Sequence, residues 1–160
     1  MGYNTVWVGC YEVYNKNGKR SRLPKKLADL LVGLSGTRRM SRDTSILAKR
    51  LNMSKEKCER LYGCYGELYI EKDYETTLGQ TEYPEIVNYN QPPPNQPSLW
   101  CDFTYNRKGK VIEWKESEKT YDGLEWIRYI TNLVQSHGYD LRGEMCWQGE
   151  EEDDNGILSM

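Results

Sequence analysis

The chain has 160 residues, 29% of them charged, and a net charge of −2. A chain of this length suits one domain, here 1–160, and buries roughly two-thirds of its unfolded surface, so its core needs neither disulfides nor metal. The near-balanced charge excludes wholesale coating of nucleic acid, which takes a clearly basic domain, but leaves room for a local basic patch.

Thr5 to Tyr14 is rich in β-branched and aromatic residues and reads as a strand, ended by the turn residues Asn17-Gly18. After the basic loop Lys19 to Arg22, Pro24 opens a helix. Leu23, Leu27, Leu30, Leu31 and Leu34 form one stripe of it, and Gly36 stops it. Asp43 or Thr44 can cap a second helix carrying Ile46, Leu47 and Leu51. Ser54 caps a third, ending near Gly63. Gly66 to Ile70 reads as a strand. Residues 72–98 are irregular and end in a polyproline-like stretch, Pro92-Pro93-Pro94. Leu99–Tyr105 and Val111–Lys115 form a hairpin around Asn106 to Gly109. Tyr121 to His137 is a helix with Leu124, Ile127, Ile130, Leu133 and Val134 inward and Gly138 as its stop. Tyr139 to Gly149 is a long strand, and the acidic run 150–154 turns it back into a short one over 156–160. This order predicts an α+β fold, a mainly antiparallel sheet with helices packed on one face.

Thirteen tyrosines and five tryptophans stand against one phenylalanine, a balance that suits half-buried positions and binding surfaces. The five cysteines are odd in number and form no Cys-x-x-Cys, as expected of free thiols in a reducing cytoplasm. No apolar run is long enough to span a membrane and no secretion signal is visible, so a cytoplasmic protein is expected.

Five constellations could carry chemistry. Residues 45–61 have a helix-turn-helix rhythm that could set Lys55, Lys57 and Arg60 against DNA, but Glu56 and Glu59 dilute the charge. Arg38 and Arg39 are adjacent guanidiniums able to clamp a phosphate or carboxylate. Tyr89, Asn90 and Trp100 border a proline-stiffened loop and could stack on a base and read its edge. Glu113-Trp114 and Trp147 to Glu150 each set an indole beside a carboxylate, which could serve acid–base work. Strand alternation equally predicts Trp inward and Glu outward. The acidic run 150–154 lacks the spacing of a calcium loop. No catalytic set, metal site or cofactor is assigned, and the lone His137 has no nucleophile pattern near it in sequence.

Taken together, Gly2-Tyr3-Asn4-Thr5, Thr37-Arg38-Arg39-Met40, Tyr89-Asn90-x-Pro92-Pro93, Gln96-Pro97-Ser98-Leu99-Trp100-Cys101, Ile112-Glu113-Trp114 and Trp147-Gln148-Gly149-Glu150 resemble a family of small bacteriophage and bacterial proteins of uncharacterised activity. Family-like sequences lack a helix-turn-helix between the Arg-Arg-Met and Tyr-Asn-Pro-Pro motifs. The resemblance thus counts against DNA and marks 44–65 as a helical elaboration. It implies a phage accessory protein acting in the host cytoplasm. The leading expectation is non-catalytic sequestration of a small phosphorylated ligand such as a signalling nucleotide, with Arg38, Arg39, Tyr89, Asn90, Trp100, Glu113, Trp114 and Trp147 as ligand-binding residues. The alternatives are a protein-binding inhibitor of a host enzyme and a hydrolase using Glu113 and Glu150. A homo-oligomer is open, and no membrane partner is expected.

Overall fold

A computed structural model of the chain describes residues 3–74 and 80–160, so Gly2 of the first motif and residues 75–79 of the irregular segment lie outside the described residues. The chain is α+β and divides into two compact units, one of residues 1–35 with 102–160 and one of residues 36–101.

The first unit holds a five-stranded sheet, β1 (Val6–Tyr14), β2 (Phe103–Asn106), β3 (Val111–Trp114), β4 (Asp140–Gln148) and β5 (Asn155–Ser159), in the order β2-β3-β1-β4-β5. Every pairing is antiparallel. Period-2 alternation sorts the side chains. Trp7, Tyr11, Val13, Phe103, Tyr105, Ile112, Leu141 and Met145 are buried on one face, while Val6, Val8 and Ile157 are exposed on the other. Two helices cover the buried face, α1 (Lys25–Gly36) and α4 (Gly123–Ser136). α4 lies on β4, and the Leu23 N–H before α1 donates to the Tyr105 hydroxyl of β2. The leucine stripe of α1 is buried at Leu27, Leu31 and Leu34. α4 buries Ile127, Ile130 and Val134 as its spacing predicts, and also Trp126, which is fully enclosed.

Two strand glycines let β1 and β4 lie close. Gly9 (φ +108°) and Gly143 (φ +142°) have left-handed backbones, and a Cβ would meet the Glu144 carbonyl oxygen at 2.3 Å and the Cys10 carbonyl oxygen at 2.5 Å, respectively. Gly143→Ala should therefore cost about 2 kcal/mol through strain and clash together, read as a lower denaturation midpoint at unchanged slope.

The second unit contains α2 (Thr44–Arg50) and α3 (Lys55–Tyr62), which pack on each other. Asp43 caps α2 by accepting from the Ser45 and Ile46 N–H groups, and Ser54 caps α3 through the Lys57 N–H. Leu47, Ala48, Cys58 and Tyr69 form their shared apolar core, flanked by Leu51, Met53 and Tyr62. The strand predicted over Gly66 to Ile70 does not form. Its backbone is committed elsewhere: Leu68 N–H donates to Tyr62 O, Tyr69 N–H closes a turn on Gly66, and the Glu67 and Tyr69 carbonyls accept from a guanidinium. No helix among the described residues is long and apolar enough to cross a membrane.

Candidate functional site

The second unit is organised around polar side chains. Residues 39–43 are held by backbone bonds to four other positions: Arg39 N–H donates to Leu99 O, Ser41 N–H to Gln91 O, Arg42 N–H to Tyr65 O and Asp43 N–H to Glu85 O. Successive side chains along this run therefore meet different surroundings, and the two adjacent arginines part company.

Arg39 is internal, with 2% of its surface exposed. It donates to Thr37 Oγ1 at 2.6 Å, Glu67 O at 2.7 Å, and more loosely to Gln96 Oε1 and Tyr69 O at 3.4 Å. Gln96 in turn donates to Glu67 O at 2.8 Å, so the glutamine of the Gln-Pro-Ser-Leu-Trp-Cys motif is an internal brace for the same carbonyl. A guanidinium so occupied holds three chain segments together and is not presented to a ligand.

Arg38 turns outward. Its Nε donates to Tyr89 O at 2.9 Å and its Nη2 to Asn90 Oδ1 at 3.2 Å, and the guanidinium lies 5.5 Å from the centroid of the Tyr89 ring. The loop that receives it is pre-shaped, since Asn88 Oδ1 accepts from Asn90 N–H and Asn88 O from Gln91 N–H. Tyr89 remains 55% exposed with Arg38 against it, and Trp100 is also exposed. Because Arg39 N–H pairs with Leu99 O, Trp100 belongs to the strip of chain lying beside Arg38. A depression of about 210 Å³ runs along the same segments, lined by Ser41, Arg42, Asp43, Val87, Asn88 and Gln91. The structure thus brings together Arg38, Tyr89 and Asn90, with Trp100 on the neighbouring strip.

Beneath them lies an ion network that the sequence did not announce. Arg42 Nη1 and Arg50 Nη2 both reach Glu85 Oε1 at 2.6 Å, and Arg50 Nη2 also pairs with Glu71 at 2.9 Å. Glu85 is fully buried and Arg42 nearly so. Tyr69 and Tyr83 offer their ring faces to Arg50 at 5.6 and 4.1 Å. Burial alone would raise the Glu85 pKa, but the hydrogen bond from Arg50 and the two positive charges outweigh it and hold the carboxyl below its usual range. Burial lowers the Arg42 pKa, and Glu85 opposes that shift. The spacing of Arg42, Arg50, Glu71 and Glu85 has no motif, so only the recurrence of Arg and Glu in an otherwise apolar-poor segment could have hinted at it.

The helix-turn-helix candidates Lys55, Lys57 and Arg60 lie on α3 of the second unit, while the indole–carboxylate pairs and the acidic run belong to the first. Glu113 faces the open side of the sheet, paired across strands with Cys10 and accepting from Asn106 Nδ2 at 3.0 Å. Trp114 stands on the opposite, core side, and its indole N–H donates to Thr120 Oγ1 at 2.7 Å. Trp147 packs 5.4 Å from Trp7 and lies against Gly156. Glu150 accepts the Asn4 N–H at 2.6 Å. Cys10 and Asn4 are six residues apart along one extended segment, which puts Glu113 and Glu150 roughly 20 Å apart. Two carboxylates so separated cannot share one substrate bond, and the indoles do not face Glu113. Strand alternation explains Glu113-Trp114, and Glu150 lies in the turn beyond the end of β4. The acidic run is a turn pinned to the N-terminal segment, with Tyr3 Oη donating to Asp154 Oδ2 at 2.6 Å and Gly149 N–H to Asp154 O at 2.7 Å. Among the described residues no group of three or more His, Cys, Asp or Glu side chains could hold a metal ion. The five cysteines form no disulfide among the described residues.

Comparison with protein-family models, with curated proteins and with solved structures finds no match to the chain.

Proposed function

We propose that the chain is a non-catalytic binding protein that takes a small phosphorylated ligand of the nucleotide class at the Arg38, Tyr89 and Asn90 surface. The observation that carries this reading is the posture of Arg38. It is fixed by Tyr89 O and Asn90 Oδ1 and backed by an aromatic ring, with its Nη1 side left for an anion. A pre-oriented guanidinium loses little rotamer entropy when it binds phosphate. Tyr89 and Trp100 supply exposed rings for a base, and Ser41, Asn88 and Gln91 line the adjoining depression with hydroxyl and amide groups. Arg39 braces the loop and makes no ligand contact in this reading. In the phage setting implied by the sequence resemblance, such binding would withhold a host signalling nucleotide.

The test is calorimetric titration with nucleoside mono-, di- and triphosphates and cyclic dinucleotides, alongside native mass spectrometry of the protein as purified. One of these probes should bind, and Arg38→Ala should weaken it roughly 10- to 100-fold, the worth of a charge-assisted hydrogen bond, with little change in stability. Tyr89→Ala should weaken it by a smaller factor. A protein that carries no nucleotide and binds none of the probes overturns the proposal.

A further inference from the structure

The sheet of the first unit ends in an edge strand without the usual protection. Edge strands are commonly guarded by lysine, proline, a bulge or a covering element, because their outward N–H and C=O groups can pair with any extended chain. The β2 edge is short and runs into Arg107, Lys108 and Lys110. β5 carries no charge and no proline from Asn155 to Ser159.

Its free groups can be identified from the ladder. Gly143 and Met160 exchange both backbone hydrogen bonds, and Gly149 N–H donates to Asp154 O. Antiparallel alternation then turns Gly156 and Leu158 toward β4 and leaves the N–H and C=O of Asn155, Ile157 and Ser159 pointing outward.

The surface beside this edge carries an apolar strip. On the open face Val8, Cys146 and Ile157 form one cross-strand row, and Val6, Gln148 and Asn155 form the next. Val8 is 66% and Ile157 62% exposed. These six residues line a depression of about 340 Å³. At the end where β5 begins, the turn presents Glu151, Glu152 and Asp153, all exposed and without a basic partner among the described ion pairs.

We infer that the outer edge of β5 is a docking site for an extended, basic segment of a partner protein, which adds a sixth strand to the sheet. Backbone pairing to Asn155, Ile157 and Ser159 supplies the register. An apolar side chain of the incoming strand sits beside Ile157 over the Val8–Cys146 row, and lysine or arginine residues meet Glu151 to Asp153. Charge selects this occupant over a second copy of the chain. Two β5 strands paired about a two-fold axis contribute two acidic turns and no basic residue from either strand.

The probe is a short capped peptide of alternating valine and threonine ending in lysines, added to the intact protein and followed by amide exchange and chemical shifts. Exchange at Ile157 and Ser159 should slow by roughly tenfold or more, while Leu158, already bonded to β4, changes little. Ile157→Lys, an exposed substitution that folding should tolerate, should weaken binding about tenfold by placing a positive charge opposite the peptide. Glu151→Lys with Glu152→Lys should weaken it and flatten its salt dependence. Equal binding of the same peptide N-methylated at alternate residues would show attraction of charge alone and overturn the inference. Protection at β2 instead, no protection at all, or self-association through β5 that Ile157→Lys abolishes would overturn it equally.

Discussion

Replacing Glu85 with glutamine should destabilise the second unit by about 3–5 kcal/mol, the usual cost of removing one partner from a buried ion pair. The reason is positional. Glu85 is fully buried and takes both Arg42 and Arg50 at 2.6 Å, so its loss deprives a nearly enclosed guanidinium at Arg42 of its hydrogen-bonded counter-charge and leaves it only the weaker pull of Glu71. Glutamine keeps the shape and can accept one of the hydrogen bonds, which isolates the charge as the variable. Tryptophan fluorescence is a poor monitor, because Trp100 is the sole tryptophan of residues 36–101. Amide exchange at Arg42 and Asp43, whose N–H groups bond Tyr65 O and Glu85 O, reports the unit directly. The same variant makes a pH prediction. A carboxyl held below its ordinary pKa contributes stability that is present above the unfolded value, near 4.5, and lost as pH falls through the folded value. The parent protein should therefore lose protection at these amides below about pH 4.5, and the gap between parent and Glu85→Gln should narrow over that range. A variant as stable as the parent at pH 7 would mean that water, not Glu85, balances Arg42.

Arg39→Ala should cost about 3 kcal/mol or more, in contrast to Arg38→Ala. It removes four interior hydrogen bonds, to Thr37 Oγ1, Glu67 O, Tyr69 O and Gln96 Oε1, each worth about 1 kcal/mol, and leaves Glu67 O with the Gln96 amide as its other donor. Arg39→Lys keeps the charge but not the fork, and a single ammonium cannot reach Thr37, Glu67 and Gln96 together, so it should recover only part of the loss. Urea denaturation of both variants beside Arg38→Ala separates the roles. Loss of stability should fall on position 39 and loss of ligand on position 38. If Arg39→Ala is as stable as the parent, the internal assignment of this guanidinium fails. A double Arg38→Ala/Arg39→Ala variant cannot make this distinction, because unfolding of the loop would mimic loss of binding.

The helices and most strands were legible because their signals are local. The stripes of α1 and α4, the caps Asp43 and Ser54, the stops Gly36 and Gly138 and the turn after Asn106 all act within a few residues of themselves. Trp126 was missed from the core because the stripe was followed through aliphatic residues alone. Gly66 to Ile70 failed as a strand because its Glu67 and Tyr69 carbonyls are taken by the Arg39 guanidinium, from far along the chain.

For the site the division is sharper. Sequence placed Arg38, Arg39, Tyr89 and Asn90 among the interesting residues, and spacing determined that the two arginines would be neighbours. Which of them is buried and which turns outward was decided by the backbone bonds of residues 39–43 to distant segments, which send adjacent side chains into different surroundings. The Glu113–Glu150 pair dissolved for a related reason, since pairing register and strand rise set their separation and neither is written in the composition of the two motifs. The sequence by itself determined the α+β order of elements and the alternation that puts Trp inward and Glu outward, because both follow from short-range periodicity. Only the tertiary structure decided the burial of Glu85 between two arginines, the outward posture of Arg38 and the bare edge of β5, because each depends on contacts between residues tens of positions apart.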